Sequence, residues 1–208
     1  MKVGFIVDGK SEFEALPKLM PLLSTIDQFR PMRPVLATVS ADAPIDTISF
    51  VVAEIIGTLA NRNPDRVVVL WNREQRPECP GVLAQARWHG ISRQSQGAHS
   101  LSVVGKDRMF ENWLAAALPT LSHPSARFRL SKSDERLIVS DKADHTDALS
   151  LLKRSTAGRE YDKVADSKRI LAAANVDEIA ANSRSFRRFL RCLGHPDYLH
   201  QSRSPRRP

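Results

Sequence analysis

Cysteine is scarce in this chain, with two residues among 208. Cys79 and Cys192 are far apart in sequence and form neither a disulfide framework nor a metal-ligand spacing. The six histidines also stand apart from any Cys/His pairing, which argues against a zinc site. A reducing compartment fits this usage, so we expect a cytoplasmic protein.

Long apolar runs are missing as well. No segment approaches the roughly 20 residues that are needed to span a bilayer, so we expect no membrane partner. The N-terminal stretch reaches Asp8 after only a few apolar residues and does not predict a signal peptide. The sequence has no Walker-type glycine-rich loop, so we expect no intrinsic ATPase activity. It also has no serine in a nucleophile-elbow motif, which argues against a serine hydrolase.

Positive charge is in excess, with 31 Lys and Arg against 23 Asp and Glu and a formal net charge of +8. Such an excess favours polyanionic partners through neutralisation of phosphates and release of counterions. The alternative is a solvated basic face followed by a disordered tail, and the sequence leaves both open. The arginines crowd towards the C-terminal end, at Arg184, Arg187, Arg188, Arg191, Arg203, Arg206 and Arg207.

Hydrophobic patterning predicts an α/β core over residues 1–118. Short apolar runs bounded by turn residues predict four strands, at residues 2–7, 35–39, 66–71 and 100–104. The continuous run at 66–71 is typical of a central parallel strand that is buried on both faces. Helices are predicted between the strands, at residues 43–60, 81–89 and 108–118, and after Ser11, which with Glu14 forms a capping-box pattern. Strands that alternate with helices indicate a parallel sheet flanked by helices.

The second part of the chain has a different character. Residues 119–144 are rich in Ser, Pro and charge and predict a loop-rich connection. Helical patterns follow at residues 146–155, 162–174 and 177–193, which predicts a C-terminal helical extension, 145–193, packed on the core. Residues 194–208 predict a disordered basic tail.

Polar groups follow two of the predicted strands. The first strand ends in Asp8-Gly9-Lys10-Ser11-Glu12, and the third ends in Asn72-Arg73-Glu74. The carboxyl ends of parallel strands lie at one edge of a sheet, where functional groups collect. Carboxylates that converge there suit Mg²⁺, which binds oxygen ligands. Acids after strands are also ordinary turn residues and helix caps, and this alternative stays open.

Four stretches of this sequence together resemble the Toprim fold of topoisomerases, primases and overcoming-lysogenization-defect nucleases. The closer similarity is to DUF4276, a family of uncharacterised Toprim-like proteins. The stretches are Phe5-Ile6-Val7-Asp8-Gly9-Lys10-Ser11-Glu12, Val69-Leu70-Trp71-Asn72-Arg73-Glu74, Phe110-Glu111-Asn112-Trp113-Leu114 and Ser183-Arg184-Ser185-Phe186-Arg187-Arg188-Phe189. They span nearly the whole chain.

The resemblance implies metal-dependent cleavage of phosphodiesters. It implies that Asp8 is a general acid/base or a metal ligand, that Asn72 and Glu74 hold Mg²⁺ or Mn²⁺, and that Glu12 is a further metal-linked acid. The chain departs from the Toprim pattern in two places. Asp8 is shorter than the usual glutamate, and Asn72 stands where the pattern has aspartate, so its amide oxygen brings no charge to a metal.

Further residues belong to the predicted site. Glu111 is an additional candidate acid, with a first-turn helix acid as its alternative reading. Phe186 and Phe189 predict a packing face on the last helix, with its arginines pointing outward. The residues that we expect to contact nucleic acid are Lys10, Arg73, Lys163, Arg184, Arg187 and Arg188.

The functional hypothesis is a Mg²⁺- or Mn²⁺-dependent nuclease in which Asp8, Glu12 and Glu74 hold the metal. The resemblance further suggests an effector subunit of a mobile-element or phage-defence system that works with a separate ATPase. Asn72 favours the alternative, a binding or regulatory subunit that keeps the fold and has lost the chemistry. A third hypothesis is hydrolysis or transfer on a small phosphorylated molecule. The oligomeric state is left open.

Overall fold

Five parallel strands form the centre of the computed structural model, which describes residues 1–95, 100–122 and 126–200. The middle strand β1 pairs with β4 on one side, and β5 follows β4 at the edge. On its other side β1 pairs with two short strands, β2 near its start and β3 near its end. The predicted α/β class with a parallel sheet is therefore confirmed. The strands are β1 Lys2–Val7, β2 Arg30–Pro31, β3 Val35–Leu36, β4 Arg66–Asn72 and β5 Ser100–Lys106.

The burial of the strands follows their sequences. The five residues from Val67 to Trp71 in β4 are all buried, as a strand covered on both faces requires. The edge opposite β5 is broken into β2 and β3, where a single strand at 35–39 was predicted. Pro31 and Pro34 have no amide hydrogen to donate to β1, which interrupts the pairing at this edge.

Helices cover both faces of the sheet. α2 and α3 pack on Ile6, Val69 and Trp71 on one face. The remaining long helices pack on the opposite face, around Phe5 and Trp113. The helices are α1 Lys10–Leu19, α2 Ile45–Ala60, α3 Pro80–Gln94, α4 Glu111–Leu121, α5 Lys132–Glu135, α6 Ala148–Ser155, α7 Ala165–Ala172, α8 Val176–Asn182 and α9 Arg184–Leu193. Short 3₁₀ turns lie at Met20–Leu23, Ala143–His145 and Pro196–Tyr198.

The start of α1 differs from the prediction. The helix begins at Lys10, with Gly9 at the N-cap in an extended conformation and no side chain capping it. The expected capping box of Ser11 and Glu14 is therefore wrong. Because the helix starts before Ser11, that residue lies in the first turn, and Glu14 is free to form an ion pair with Lys168 at 3.2 Å.

The predicted helix 177–193 is two helices, α8 and α9, which meet at Ser183. The Ser183 hydroxyl accepts a hydrogen bond from the amide of Phe186 at 3.1 Å and so caps α9. It also donates to Asp144 Oδ1 at 2.7 Å. The helix break therefore depends on a partner 39 residues away in the sequence, which hydrophobic periodicity cannot reveal.

Within residues 194–200 of the predicted tail, His195 and Tyr198 are buried and the other residues are exposed. Gly194 ends α9 with a φ of 81°, a left-handed conformation that glycine adopts readily. His195 is buried and lies 2.9 Å from the hydroxyl of Thr25, and Tyr198 is also buried. Residues 201–208 of the predicted tail, including Arg203, Arg206 and Arg207, lie outside the described residues.

No helix in the described part of the chain is long and apolar enough to cross a membrane.

Candidate acidic site at the carboxyl end of the sheet

The carboxyl ends of β1, β4 and β5 bring most of the predicted acids together. Asp8 follows β1, Asn72 ends β4, and Glu111 opens α4 just beyond β5. A cavity of about 290 Å³, which we call the acidic pocket, opens between these ends and the start of α1. It is lined by Gly9, Lys10, Ser11, Glu12, Asn72, Glu74, Met109, Phe110, Glu111 and Lys163.

Lys106, the last residue of β5, is fully buried behind the acids at this edge of the sheet and does not itself line the acidic pocket. Its ammonium nitrogen Nζ is 2.9 Å from Oδ1 of Asp8 and also contacts Oε1 of Glu12. Burial lowers the pKa of Lys106, and the neighbouring Asp8 carboxylate opposes that change. Its amino group lies at the point where two of the predicted metal-binding carboxylates meet.

Both carboxylate oxygens of Asp8 are engaged. Oδ1 faces Lys106, and Oδ2 accepts a hydrogen bond from the backbone amide of Asn72 at 2.7 Å. Asp8 thereby ties the ends of β1, β4 and β5 together. Asp8 and Lys106 thus form a buried ion pair, and the second carboxylate oxygen of Asp8 also has a hydrogen-bond donor. Buried ion pairs are tolerated when the remaining polar atoms are hydrogen-bonded in this way.

Glu12 lies in the first turn of α1 and is 1% exposed. A carboxylate at this position is favoured by the amide dipoles of the helix start. The N-cap residue Gly9 lies directly beside Glu12. A side chain at position 9 would collide with the Glu12 carboxylate, which explains why this residue is glycine. The close packing of the Glu12 carboxylate therefore favours glycine at the second position of Asp8-Gly9-x-x-Glu12.

Glu74 lies on the loop after β4 and has a φ of 56°, in the left-handed region that residues with side chains rarely adopt. Its amide donates to the carbonyl of Arg108 at 2.8 Å, which holds the loop against the end of β5. Burial, followed by the negative charges of Asp8, Glu111 and Asp42, raises the pKa of the Glu74 carboxyl group. Within residues 1–95, 100–122 and 126–200, no basic side chain forms an ion pair with it.

Asn72 and Glu111 complete the polar lining. The side-chain oxygen Oδ1 of Asn72 is buried and has no hydrogen-bond partner among the described residues. Glu111 is nearly buried, and its Oε1 atom is 3.1 Å from Nζ of Lys163. Lys163, which we expected to contact phosphate, is thus already paired with an acid of the pocket, while Lys10 is exposed at the rim.

Asp8, Glu12 and Glu111 do not fit a divalent metal ion in this arrangement. Asp8 and Glu12 share the single positive charge of Lys106, and Glu111 is paired with Lys163, so all three carboxylates already contact a cationic side chain. Among the residues that the structure describes, no three His, Cys, Asp or Glu side chains converge as a ligand set. A second cation next to the Lys106 ammonium would be repelled by it at short range.

Two of the arginines predicted to contact nucleic acid are engaged elsewhere. Arg73 forms an ion pair with Asp107 at 2.7 Å, and both side chains are largely buried. Arg187 is only 9% exposed and pairs with Asp141 at 2.6 Å, so the expectation that it points outward is wrong. Its guanidinium satisfies groups inside the helical extension, including the carbonyl oxygen of Ala180 at 2.5 Å.

Arg184 and Arg188 are exposed, as expected, and line a second cavity, to which Asp107 also contributes. Ser185, between them, is buried. Its hydroxyl accepts from the indole of Trp113 at 2.7 Å and donates to Asp144 at 2.9 Å. The polar side chains of this stretch therefore have two environments: Ser185 is in the core, and the two arginines are at the surface.

Sequence reasoning missed Lys106 and Asp144. The predicted strand 100–104 stopped two residues short of Lys106, and a lysine after a strand has no pattern that distinguishes burial from exposure. Asp144 is buried and accepts bonds from Ser183 and Ser185, and its pKa is raised by that burial. Its partners lie about 40 residues away, so no local signal marks it.

No protein-family model, curated protein or solved structure matches this chain. The similarity to Toprim-like proteins therefore rests on the motifs in its sequence.

Proposed function

We propose that this chain is a Toprim-like, nucleic-acid-binding subunit in which the ammonium group of Lys106 stands in place of a catalytic metal ion. The observation that carries the proposal is the contact of buried Lys106 with both Asp8 and Glu12. The protein would act in the cytoplasm, where its unpaired thiols, Cys79 and Cys192, stay reduced.

The electrostatics of the pocket support this reading. A metal ion at the ends of the strands needs carboxylates whose charge is not already neutralised. Lys106 neutralises part of the charge of Asp8 and Glu12, and Asn72 supplies an uncharged amide where the Toprim pattern has an acid. Both departures reduce the negative charge that is available to a cation, and both leave the fold intact.

The net charge supports a polyanionic partner. The chain carries a formal charge of +8, and Arg184, Arg188 and Arg191 present exposed guanidinium groups along one helix. Arginine binds phosphate through paired N–H donors, which suits a nucleic-acid backbone. The acidic pocket lies beside this basic surface rather than within it.

Binding and cleavage assays test the proposal together. Fluorescence anisotropy with single-stranded DNA, duplex DNA and RNA should show binding that weakens steeply with salt. Arg184→Gln and Arg188→Gln should each lower the slope of log K against log salt by about 0.7–0.9. Arg93→Gln, an exposed arginine near the end of α3, removes the same charge elsewhere and should change the slope little. The proposal requires that the chain leave plasmid and single strands intact in Mg²⁺, in Mn²⁺ and in chelator.

A second candidate is metal-dependent cleavage of phosphodiesters, together with a separate ATPase partner. Glu74 and Asn72 favour it, because the Glu74 carboxylate has no cationic partner and the Asn72 Oδ1 atom is buried without a hydrogen bond, both statements applying to the described residues. Metal-dependent cutting that disappears in Glu74→Ala would establish this candidate and refute the first. Faster cutting by Asn72→Asp would show the cost of the missing carboxylate.

A further inference from the structure

A second cavity, of about 280 Å³, lies beside the end of β5 and is distinct from the acidic pocket. We call it the basic cavity. The start of α3, the end of β5 and α9 all contribute residues to its lining. Its lining consists of Cys79, Pro80, Gly81, Gly105, Asp107, Asp144, Arg184, Ser185, Arg188 and Arg191.

Three arginines of α9 line this cavity, at positions 184, 188 and 191, so they lie on one face of the helix. All three are exposed, and none forms an ion pair or a side-chain hydrogen bond within the described ranges. Arg187, on the buried face of the same helix, is paired with Asp141. The buried face of α9 therefore carries one arginine with a structural role, and its exposed face carries three arginines that line the cavity.

The two acids of the cavity do not cancel this charge. Asp107 is already neutralised by Arg73, whose Nη2 atom lies 2.7 Å away. Asp144 is buried and accepts hydrogen bonds from the Ser183 hydroxyl at 2.7 Å and from the amide and hydroxyl of Ser185 at 2.8 and 2.9 Å. Three guanidinium groups thus face at most one uncompensated carboxylate, and the cavity is positive.

The start of α3 adds amide donors to the same cavity. α3 is 15 residues long, and no side chain caps its first turn, so the amide of Gly81, which lines the cavity, has no carbonyl partner within the helix. Arg188 lies against this turn, since a Cβ atom at Gly81 would be 3.4 Å from Nη1 of Arg188. Gly105 permits the close approach, because a Cβ atom there would be 3.1 Å from the carbonyl oxygen of Pro80.

We propose that the basic cavity binds the phosphoryl group of a phosphate ester. Guanidinium groups and free helix amides are two donor types that proteins use for phosphate, and here both line the same cavity, with Arg188 close to Gly81. The volume is just below the range of about 300–1,000 Å³ for small-molecule sites, which suits a phosphoryl group with part of the ester it belongs to. The phosphate comes from a free nucleotide or from the end of a nucleic-acid strand. In the second case the inference rests on the proposed function.

Cys79 reports on occupancy of this cavity. It is exposed and lies at the N-cap of α3, and its Sγ atom would be 3.7 Å from a Cβ atom at Gly81. A bound phosphoryl group covers this thiol. The rate at which iodoacetamide alkylates Cys79, followed by mass spectrometry, therefore measures binding without any enzymatic activity. Cys192, which is partly buried and outside the cavity, serves as the internal reference.

The probes are inorganic phosphate, a nucleoside monophosphate, and matched oligonucleotides with and without a 5′-phosphate, all against potassium chloride at equal ionic strength. At ten times the dissociation constant, a bound probe slows alkylation of Cys79 about tenfold, by the factor 1 + [L]/Kd. Arg188→Gln and Arg191→Gln should abolish the protection, whereas Arg93→Gln, on the far part of α3, should retain it.

Protection by inorganic phosphate or by the nucleotide supports the inference with a free phosphate as the source. Protection only by the 5′-phosphorylated oligonucleotide supports it with a strand end as the source. Equal protection by both oligonucleotides, or by none of the probes, or protection that persists in Arg188→Gln, overturns it. Nucleic-acid binding in the anisotropy assay without protection of Cys79 would retain the proposed function and reject this site.

Discussion

Replacing Lys106 by methionine removes a fully buried ammonium and keeps the volume of the side chain nearly unchanged. Asp8 and Glu12, each with a side chain that is 1% exposed, then keep their charges in the interior without a cation. Removing one partner of a buried ion pair costs about 3–5 kcal/mol, and here two carboxylates lose the same partner. We therefore expect a loss near the upper end of this range.

Urea unfolding measures this loss. With a dependence of about 2 kcal/mol per molar urea, the midpoint of Lys106→Met should fall by about 2.5 M relative to the natural chain. The triple variant Lys106→Met, Asp8→Asn, Glu12→Gln removes all three charges and should recover most of the stability. A midpoint for Lys106→Met within about 0.3 M of the natural chain would refute the reasoning, because the ammonium would then contribute nothing to the pocket.

Urea unfolding in the presence of Mn²⁺ distinguishes an ionic role of Lys106 from a packing role. If the ammonium stands in place of a metal ion, Mn²⁺ should raise the midpoint of Lys106→Met and leave that of the natural chain unchanged. Saturation at 100 times the dissociation constant would restore about 2.7 kcal/mol. If Mn²⁺ changes the urea midpoint of both proteins equally, the hypothesis that Lys106 stands in place of a metal ion is contradicted.

Four further substitutions, at Glu74, Gly105, Gly57 and Arg87, have defined outcomes. Burial raises the pKa of the Glu74 carboxyl group. The contribution of Glu74 to stability is therefore full at low pH and is lost as the pH rises through the pKa that Glu74 has in the folded protein. Glu74→Gln should raise the melting temperature at pH 7 and leave it nearly unchanged at pH 4. Gly105→Ala should cost about 1–3 kcal/mol in chemical denaturation because its Cβ atom would crowd Pro80, whereas Gly57→Ala, on an open helix face, should gain about 0.5–1 kcal/mol. Burial lowers the pKa of Arg87 to about 10, and Arg87→Met should therefore keep the free energy of unfolding within about 1 kcal/mol or raise it; a loss above about 2 kcal/mol would contradict this view of Arg87.

Local patterns predicted the elements that are continuous in sequence. β1, α2 and β4 lie within a residue or two of their predicted bounds, because each is a contiguous apolar pattern with clear turn residues at its ends. The meeting of Asp8 with Asn72 could also be predicted. Parallel strands that are neighbours in a sheet place their carboxyl ends at the same edge, and the alternation of strands and helices indicates such a sheet.

The environment of the site could not be predicted in the same way. Lys106 reaches Asp8 across 98 residues of sequence, and a lysine at a strand end carries no local sign of burial. Arg187 and Arg188 are adjacent and chemically identical, yet one is paired in the interior and the other is exposed. The difference depends on the rotation of α9 against the sheet.

The sequence by itself thus determined the class of the fold, the succession of its main strands along the chain and the edge of the sheet at which the acids collect, because these depend on periodicity and chain direction. Only the tertiary structure decided which charges are neutralised and which are free. Ion pairs such as Lys106 with Glu12, and the approach of Arg188 to the start of α3, join segments that are distant along the chain. Their energies depend on distance and burial in the folded state, and neither quantity is encoded in the neighbouring residues.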